Sequence, residues 1–279
     1  MEPANVLEIN HLTLAFRTVM ALNDVSLKVC TGEIHVLLGQ DGAGKTTLMK
    51  VLGGLIPAKA YRGEIVLAGS PVLLHGPDEA SRHGVAIIPR RPIVFPNLSV
   101  ADNIVMGRLV TSRKFLVDRA AQRKQAEGLL RELEVTLDLD ARVHRLDARH
   151  QRLVALARAL NTRPRLMVLD EPAAYGVSPA ETSQLIRILR LLAGQNIASL
   201  YLTRDPEQAM LIADRTTVLR DGAIAGTFER VNFDKTTLVT AMISQQPDRG
   251  PGPEEDETDD GVGGVFRVFR FFAGPTSRR

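Results

Sequence analysis

The sequence has no tryptophan, a single cysteine and only 4% aromatic residues among 279. So few rings argue against a carbohydrate-binding face or a base-stacking platform, and no nucleic-acid partner is expected. One thiol, Cys30, cannot form an internal disulfide or a cysteine-based zinc site, and fits a reducing compartment. No apolar run reaches the roughly 18 residues that a membrane span requires. The opening MEPANVLEINHL lacks the basic-then-apolar pattern of a secretory leader. Neither sign of charge dominates: 35 Lys and Arg face 32 Asp and Glu, a net charge of +3. Any membrane role is therefore expected to come through a partner.

What is present reads as a globular α/β chain. Apolar residues make up 44% and charged residues 24%, near the globular average. The length allows one large domain or two modest ones. Residues 6–36 read as short strands with turns; in DVSLKV, Val25, Leu27 and Val29 share one face, with Ser26 and Lys28 on the other. IHVLLG reads as a buried strand ending in glycine, and TLMKVLGGL carries helical spacing. A small β element is expected over 61–74 and a buried strand at VAII, 85–88. Residues 99–135 read as helical, with Ala126, Leu129, Leu130 and Leu133 on one face. HQRLVALARAL is a second amphipathic helix. RLMVLDEP is a buried strand, 180–193 a helix, IASLYLT a strand, and ADRTTVLRDGAIAGT a hairpin turning at Asp221-Gly222. Strand and helix alternate, which argues for a mostly parallel sheet covered by helices.

Composition shifts at about Gln245. Seven acids fall between Asp248 and Asp260, and four of the nine phenylalanines (Phe266, Phe269, Phe271, Phe272) sit in the last 19 residues. Residues 246–279 are expected to be a disordered Pro/Gly/acidic linker with a Phe/Arg tail, and 1–245 the folded domain.

The chemistry starts at Gly39-Gln40-Asp41-Gly42-Ala43-Gly44-Lys45-Thr46, which fits G-x-x-x-x-G-K-[ST] between a strand and a helix. A chance match somewhere in the chain is on the order of 1%. Glycines let backbone N–H groups approach a phosphate, and the following helix aims its positive end at the same anion. Lys45 can reach the β and γ phosphates, and the Thr46 hydroxyl can ligate Mg²⁺. Further on, Leu166-Met167-Val168-Leu169-Asp170-Glu171 is an apolar strand that delivers two carboxylates. Asp170 can hold Mg²⁺ through water, and Glu171 can polarise an attacking water.

Together these motifs resemble the nucleotide-binding cassette of ABC transporters, from about Val6 to Gln245, and most closely the sugar-importer type. ALNDVSLKVCTGEIHVLLGQDGAGKTTLMKVLGGL, FPNLSVADNI and IADRTTVLRDG carry the likeness. The resemblance implies a P-loop α/β core with a mostly parallel sheet, an antiparallel β subdomain and a helical subdomain at about 95–160. It implies ATP and Mg²⁺ as ligands, with Phe16 stacking on adenine and Gly39 to Thr46, continuing to Thr47, around the phosphates. It also implies transmembrane permease subunits and a second cassette, homo- or heterodimeric, as partners on the cytoplasmic face of the cell membrane.

Four positions depart from the family pattern. Arg90 stands where the family has a glutamine near Mg²⁺ and water. The signature, normally L-S-x-G followed by Gln, reads Leu146-Asp147-Ala148-Arg149-His150-Gln151. Arg204 replaces a histidine that contacts the γ phosphate; it could imitate that histidine or bind phosphate as an arginine finger. The stretch AAYGVSP after Glu171 is one residue longer than the family's usual length. Binding is thus expected to survive, while hydrolysis stays open; the alternative is a non-hydrolysing regulatory or structural module. The six histidines show no metal-ligand spacing, Asp102 and Asn103 are expected to cap or open a helix, and the basic residues of 108–131 to form a solvated face.

Overall fold

A computed structural model describes residues 4–107, 111–112, 116–171, 179–232 and 234–243. The expected linker and Phe/Arg tail lie outside them. The chain opens with a long hairpin, β1 (Asn5–Phe16) and β2 (Val19–Cys30), followed by the central strand β3 (Ile34–Leu38) and α1 (Lys45–Leu52). Next come β4 (Arg62–Leu67), β5 (Ser70–Val72), α2 (Pro77–Arg82), β6 (Val85–Ile88) and α3 (Val100–Val105). A two-stranded pair, β7 (Thr111–Ser112) and β8 (Leu116–Val117), precedes α4 (Arg119–Glu132) and α5 (Ala148–Asn161). The rest is β9 (Leu166–Asp170), α6 (Pro179–Gly194), β10 (Ala198–Thr203), α7 (Pro206–Ile212), β11 (Arg215–Arg220), β12 (Ala223–Glu229) and α8 (Lys235–Ile243).

Two larger sheets result. The antiparallel one runs β2-β1-β4-β5; the other runs β12-β11-β3-β10-β9-β6 and is parallel except at the β11–β12 edge. Every residue of β3, β9 and β10 is buried. Their apolar side chains sort by alternation. Val36, Leu38, Met167, Leu169 and Tyr201 join the core shared with α3 to α8. Leu37, Val168, Leu200 and Leu202 join the core under α1 and the antiparallel sheet. Burial of each such side chain is worth about 1.5–3 kcal/mol, so this double-sided packing fixes the strands whose ends carry the polar groups below.

The helical stretch expected over 99–135 is corrected: it is α3, then the β7–β8 pair, then α4. Gly107, at φ 90°, leaves the helical region just after α3. The expected face of α4 is correct, with Ala126, Leu129, Leu130 and Leu133 all buried. Asp102 opens α3 in its first turn as expected, but neither it nor Asn103 is the N-cap. Ser99 is the N-cap: its hydroxyl accepts from Asp102 N at 3.0 Å and donates to Asp102 Oδ2 at 2.7 Å. Asn103 is fully buried and bridges Phe95 to the Ser99 carbonyl.

A buried polar cluster sits at the start of β3. Glu33 accepts from Arg215 Nε at 2.7 Å and from Cys30 N at 2.6 Å, and its Oε1 lies 2.8 Å from His35 Nδ1. The other nitrogen of His35 reaches Thr217 Oγ1 at 2.8 Å. Burial alone would raise the Glu33 carboxyl; the hydrogen bonds with His35 and Arg215 outweigh it and bring it down to about 2.

Candidate functional site

The loop from Gly39 to Gly44 turns the chain from β3 into α1, and its glycines have different jobs. A Cβ on Gly39 would come within 2.3 Å of the Leu219 carbonyl oxygen, so this glycine allows close packing. Gly44, at φ 101°, lies equally tight against the Ala21 carbonyl. Gly42, at φ 84°, would put a Cβ into open space, so its glycine answers to the left-handed backbone rather than to crowding. Three backbone bonds fix the loop and its neighbours: Gly39 N donates to Thr203 O at 3.1 Å, Gly222 N to Ala43 O at 3.2 Å, and Asn23 N to Gly222 O at 2.8 Å.

The N-cap residue of α1 is Gly44, which makes no side-chain cap hydrogen bond, so it leaves the N–H groups of the first turn, from Lys45 through Thr47, able to meet an anion. Lys45 is buried and folds back across the loop, its Nζ donating to Gly39 O at 2.7 Å and Gln40 O at 2.9 Å. Burial pushes its ammonium below the ordinary lysine value, against the pull of Glu171, Asp41 and Asp170.

Sheet order brings the remaining groups to the same rim. Because the strands run β3-β10-β9-β6, four neighbouring strand ends present, in turn, the glycine loop, Arg204, the Asp170-Glu171 pair and Arg90. Thr46 Oγ1 donates to Asp170 Oδ2 at 3.1 Å. Asp170 and Glu171 are both buried. Glu171 sits at φ 41°, a conformation that costs a non-glycine residue of order 1–3 kcal/mol and concentrates at functional sites. Its N–H, donating to Leu202 O at 2.9 Å, helps hold it there. Arg90 Nη1 lies 3.3 Å from Glu171 Oε2, and Arg204 Nη1 lies 2.7 Å from Asp41 Oδ2.

Thr46 and Asp170 are hard oxygen donors side by side, which suits Mg²⁺. Such an ion takes one or two protein oxygens and completes its shell with water and phosphate. Among the described residues no three His, Cys, Asp or Glu side chains cluster as a metal site. Phe16 ends β1, paired with Val19, and is 49% exposed beside the exposed Val19 and Met20. The same hairpin continues into Ala21 and Leu22, against Gly44. Phe16 is thus an open ring on the hairpin that packs against the loop.

The altered signature is a capped helix start. Asp147 is the N-cap of α5; its carboxylate accepts from His150 N at 2.8 Å and lies 2.8 Å from His150 Nδ1. Its carboxyl is held below the usual aspartate range, chiefly by that backbone hydrogen bond. Arg149 donates through Nε and Nη2 to Gln184 Oε1 on α6, at 3.0 and 2.5 Å. The Asp147 cap has a local signal, an aspartate just before an amphipathic run; the Arg149–Gln184 contact, like the two arginine–carboxylate pairs, has no signature in the sequence. The segment AAYGVSP lies outside the described residues.

A glycine loop that leads into an uncapped helix, with an acidic strand end beside it, defines a P-loop nucleotide-binding protein of α/β fold. The chain belongs to the ABC transporter family, whose family model matches residues 22–174. It is similar to the ribose import ATP-binding protein RbsA 1 of Burkholderia cenocepacia (strain HI2424), at 39% identity over 87% of this chain and 47% of that protein. RbsA 2 of Streptomyces avermitilis is 36% identical over 88% of this chain and 48% of its own length. The chain thus spans about half the length of the curated relatives it matches. In fold it resembles a nucleotide-free ATP-binding cassette from an ABC transporter, with a TM-score of 0.73 and 21% identity, covering 86% of this chain and all of that one. A dimeric post-hydrolysis cassette bound to ADP and Pi gives 0.67 and 20%, covering 81% of this chain and 100% of the other.

Proposed function

We propose that the chain is the ATP-binding subunit of an importer for a sugar or similar small solute. It works on the cytoplasmic face of a membrane with permease subunits and a second cassette. The observation that carries this reading is the uncapped start of α1 with Lys45 laid across its loop, beside the Thr46–Asp170 pair. The amides of Gly39 to Thr47 and the Lys45 ammonium bind the phosphates, and Phe16 covers the base. Thr46 and Asp170 hold Mg²⁺, which when bound draws charge from the phosphate oxygens. Glu171 orients the attacking water and takes its proton. The family and the sugar-import relatives support the transport assignment.

A second reading, a cassette that binds nucleotide without turning it over, is favoured by one observation: the Glu171 carboxylate already faces Arg90. Phosphate release and ATP affinity of the purified chain, alone and with its partner subunits, separate the two. Turnover that Glu171→Gln abolishes supports the ATPase. Tight binding without turnover in any assembly supports the second reading.

A further inference from the structure

We propose that the cavity between α5 and α6 is a binding site for a small amphipathic anion, a medium-chain carboxylate in chemical class. Its volume is about 610 Å³, within the range of small-molecule sites. The two helices line it with the same spacing: Arg152, Leu153 and Leu156 on α5, Gln184, Leu185 and Ile188 on α6. On each, a polar residue is followed by an apolar neighbour and by a second apolar residue about one turn later. Leu153, Leu156 and Ile188 are buried, and Leu185 packs against the same core. The cavity thus pairs apolar walls with polar groups, the makeup of a site that binds a ligand body and orients its head.

The charge in this cavity is unbalanced. Three guanidinium groups, Arg90, Arg149 and Arg152, line it beside one carboxylate, Glu181. Two of the three are engaged: Arg90 faces Glu171 at 3.3 Å, and Arg149 donates to Gln184 Oε1 at 3.0 and 2.5 Å. Arg152 is half-buried, and among the described residues it forms no hydrogen bond or ion pair. A charge drawn partly out of water without a partner is costly, and a carboxylate that meets the guanidinium fork with two parallel hydrogen bonds relieves that cost. The leucines decide what the rest of the ligand is. A sugar would set its hydroxyls against them, and a bare inorganic anion would leave them wet; a saturated tail covers them. The proposal does not rest on the nucleotide-binding reading.

The test is calorimetric titration of the full chain with octanoate in the absence of nucleotide. The controls are 1-octanol, which lacks the charge, and acetate, which lacks the tail. We expect one saturable site for octanoate, with both controls at least about tenfold weaker, tenfold being about 1.4 kcal/mol. Arg152→Gln should weaken octanoate by at least about tenfold and leave octanol unchanged, while Arg152→Lys, which keeps the charge, should stay within about threefold of the native chain. Leu185→Trp fills the cavity from α6 and should also weaken octanoate by about tenfold or more, which gives a second measurement if circular-dichroism melts show that Arg152→Gln does not fold. No saturable octanoate site, as when a protein segment is the true occupant, overturns the proposal. So does octanol or acetate binding within about tenfold of octanoate, or a loss below about tenfold in a folded Arg152→Gln or Leu185→Trp chain.

Discussion

Two helix starts in this protein meet the same physical demand in opposite ways. At α1 the loop residue before the helix is Gly44, which has no side chain to answer the first-turn N–H groups. At α5 the equivalent place is held by Asp147, whose carboxylate takes the His150 amide. Both helices carry partial positive charge at that end. One leaves it to an incoming anion; the other supplies an anion from its own sequence. A phosphate that approached α5 would meet a carboxylate in its seat. At an effective dielectric near 20, like charges about 4 Å apart repel by about 4 kcal/mol. The two ends of β3 repeat the contrast. Glu33 and His35 at its start are buried and internally bonded, while the loop at its end opens outward.

The contrast predicts graded losses. Lys45→Ala should have the largest effect, weakening ATP binding about 10- to 100-fold, since a hydrogen bond to a charged group is worth about 1.5–3 kcal/mol. Isothermal calorimetry would show it, and unchanged affinity would break the assignment of α1 as the open end. At the closed end of β3, the depressed Glu33 carboxyl stabilises the fold at pH values above about 4.5, and that stability drains away as pH falls toward about 2. The contribution is on the order of 3 kcal/mol. Denaturant unfolding between those pH values should therefore be less pH-sensitive in Glu33→Gln than in the native chain. The smallest effect belongs to α5. Asp147→Ala should lower stability by about 1 kcal/mol, and Asp147→Ser should hold it within about 0.5 kcal/mol, because serine caps nearly as well. Equal unfolding midpoints for all three chains would show that Asp147 caps nothing.

Much of the framework is legible in the sequence because its signals are local. The glycine loop, the apolar strand ending in Asp170-Glu171 and the Asp221-Gly222 hairpin each occupy one short stretch, and each forms as expected. The short helix α7 went unread although Asp205-Pro206 is a proper start, with the aspartate accepting from Glu207 N. The continuous helix expected over 99–135 failed because helical spacing on both sides hid the turn at Gly107. What could not be read at all are the pairs made by sheet order. Arg204 and Asp41 are 163 residues apart, and only the adjacency of β10 to β3 brings them together. Arg90 meets Glu171 for the same reason, through β6 beside β9. Spacing along a chain does not encode which strand lies next to which.

The backbone bonds from Gly39 to Thr203, from Gly222 to Ala43 and from Asn23 to Gly222 carry a kinetic implication. A ligand arriving at this turn need not wait for it to take shape, because the conformational entropy of ordering was spent when the chain folded. Association should then be governed by encounter and electrostatic steering, with slow release as the variable that sets residence time.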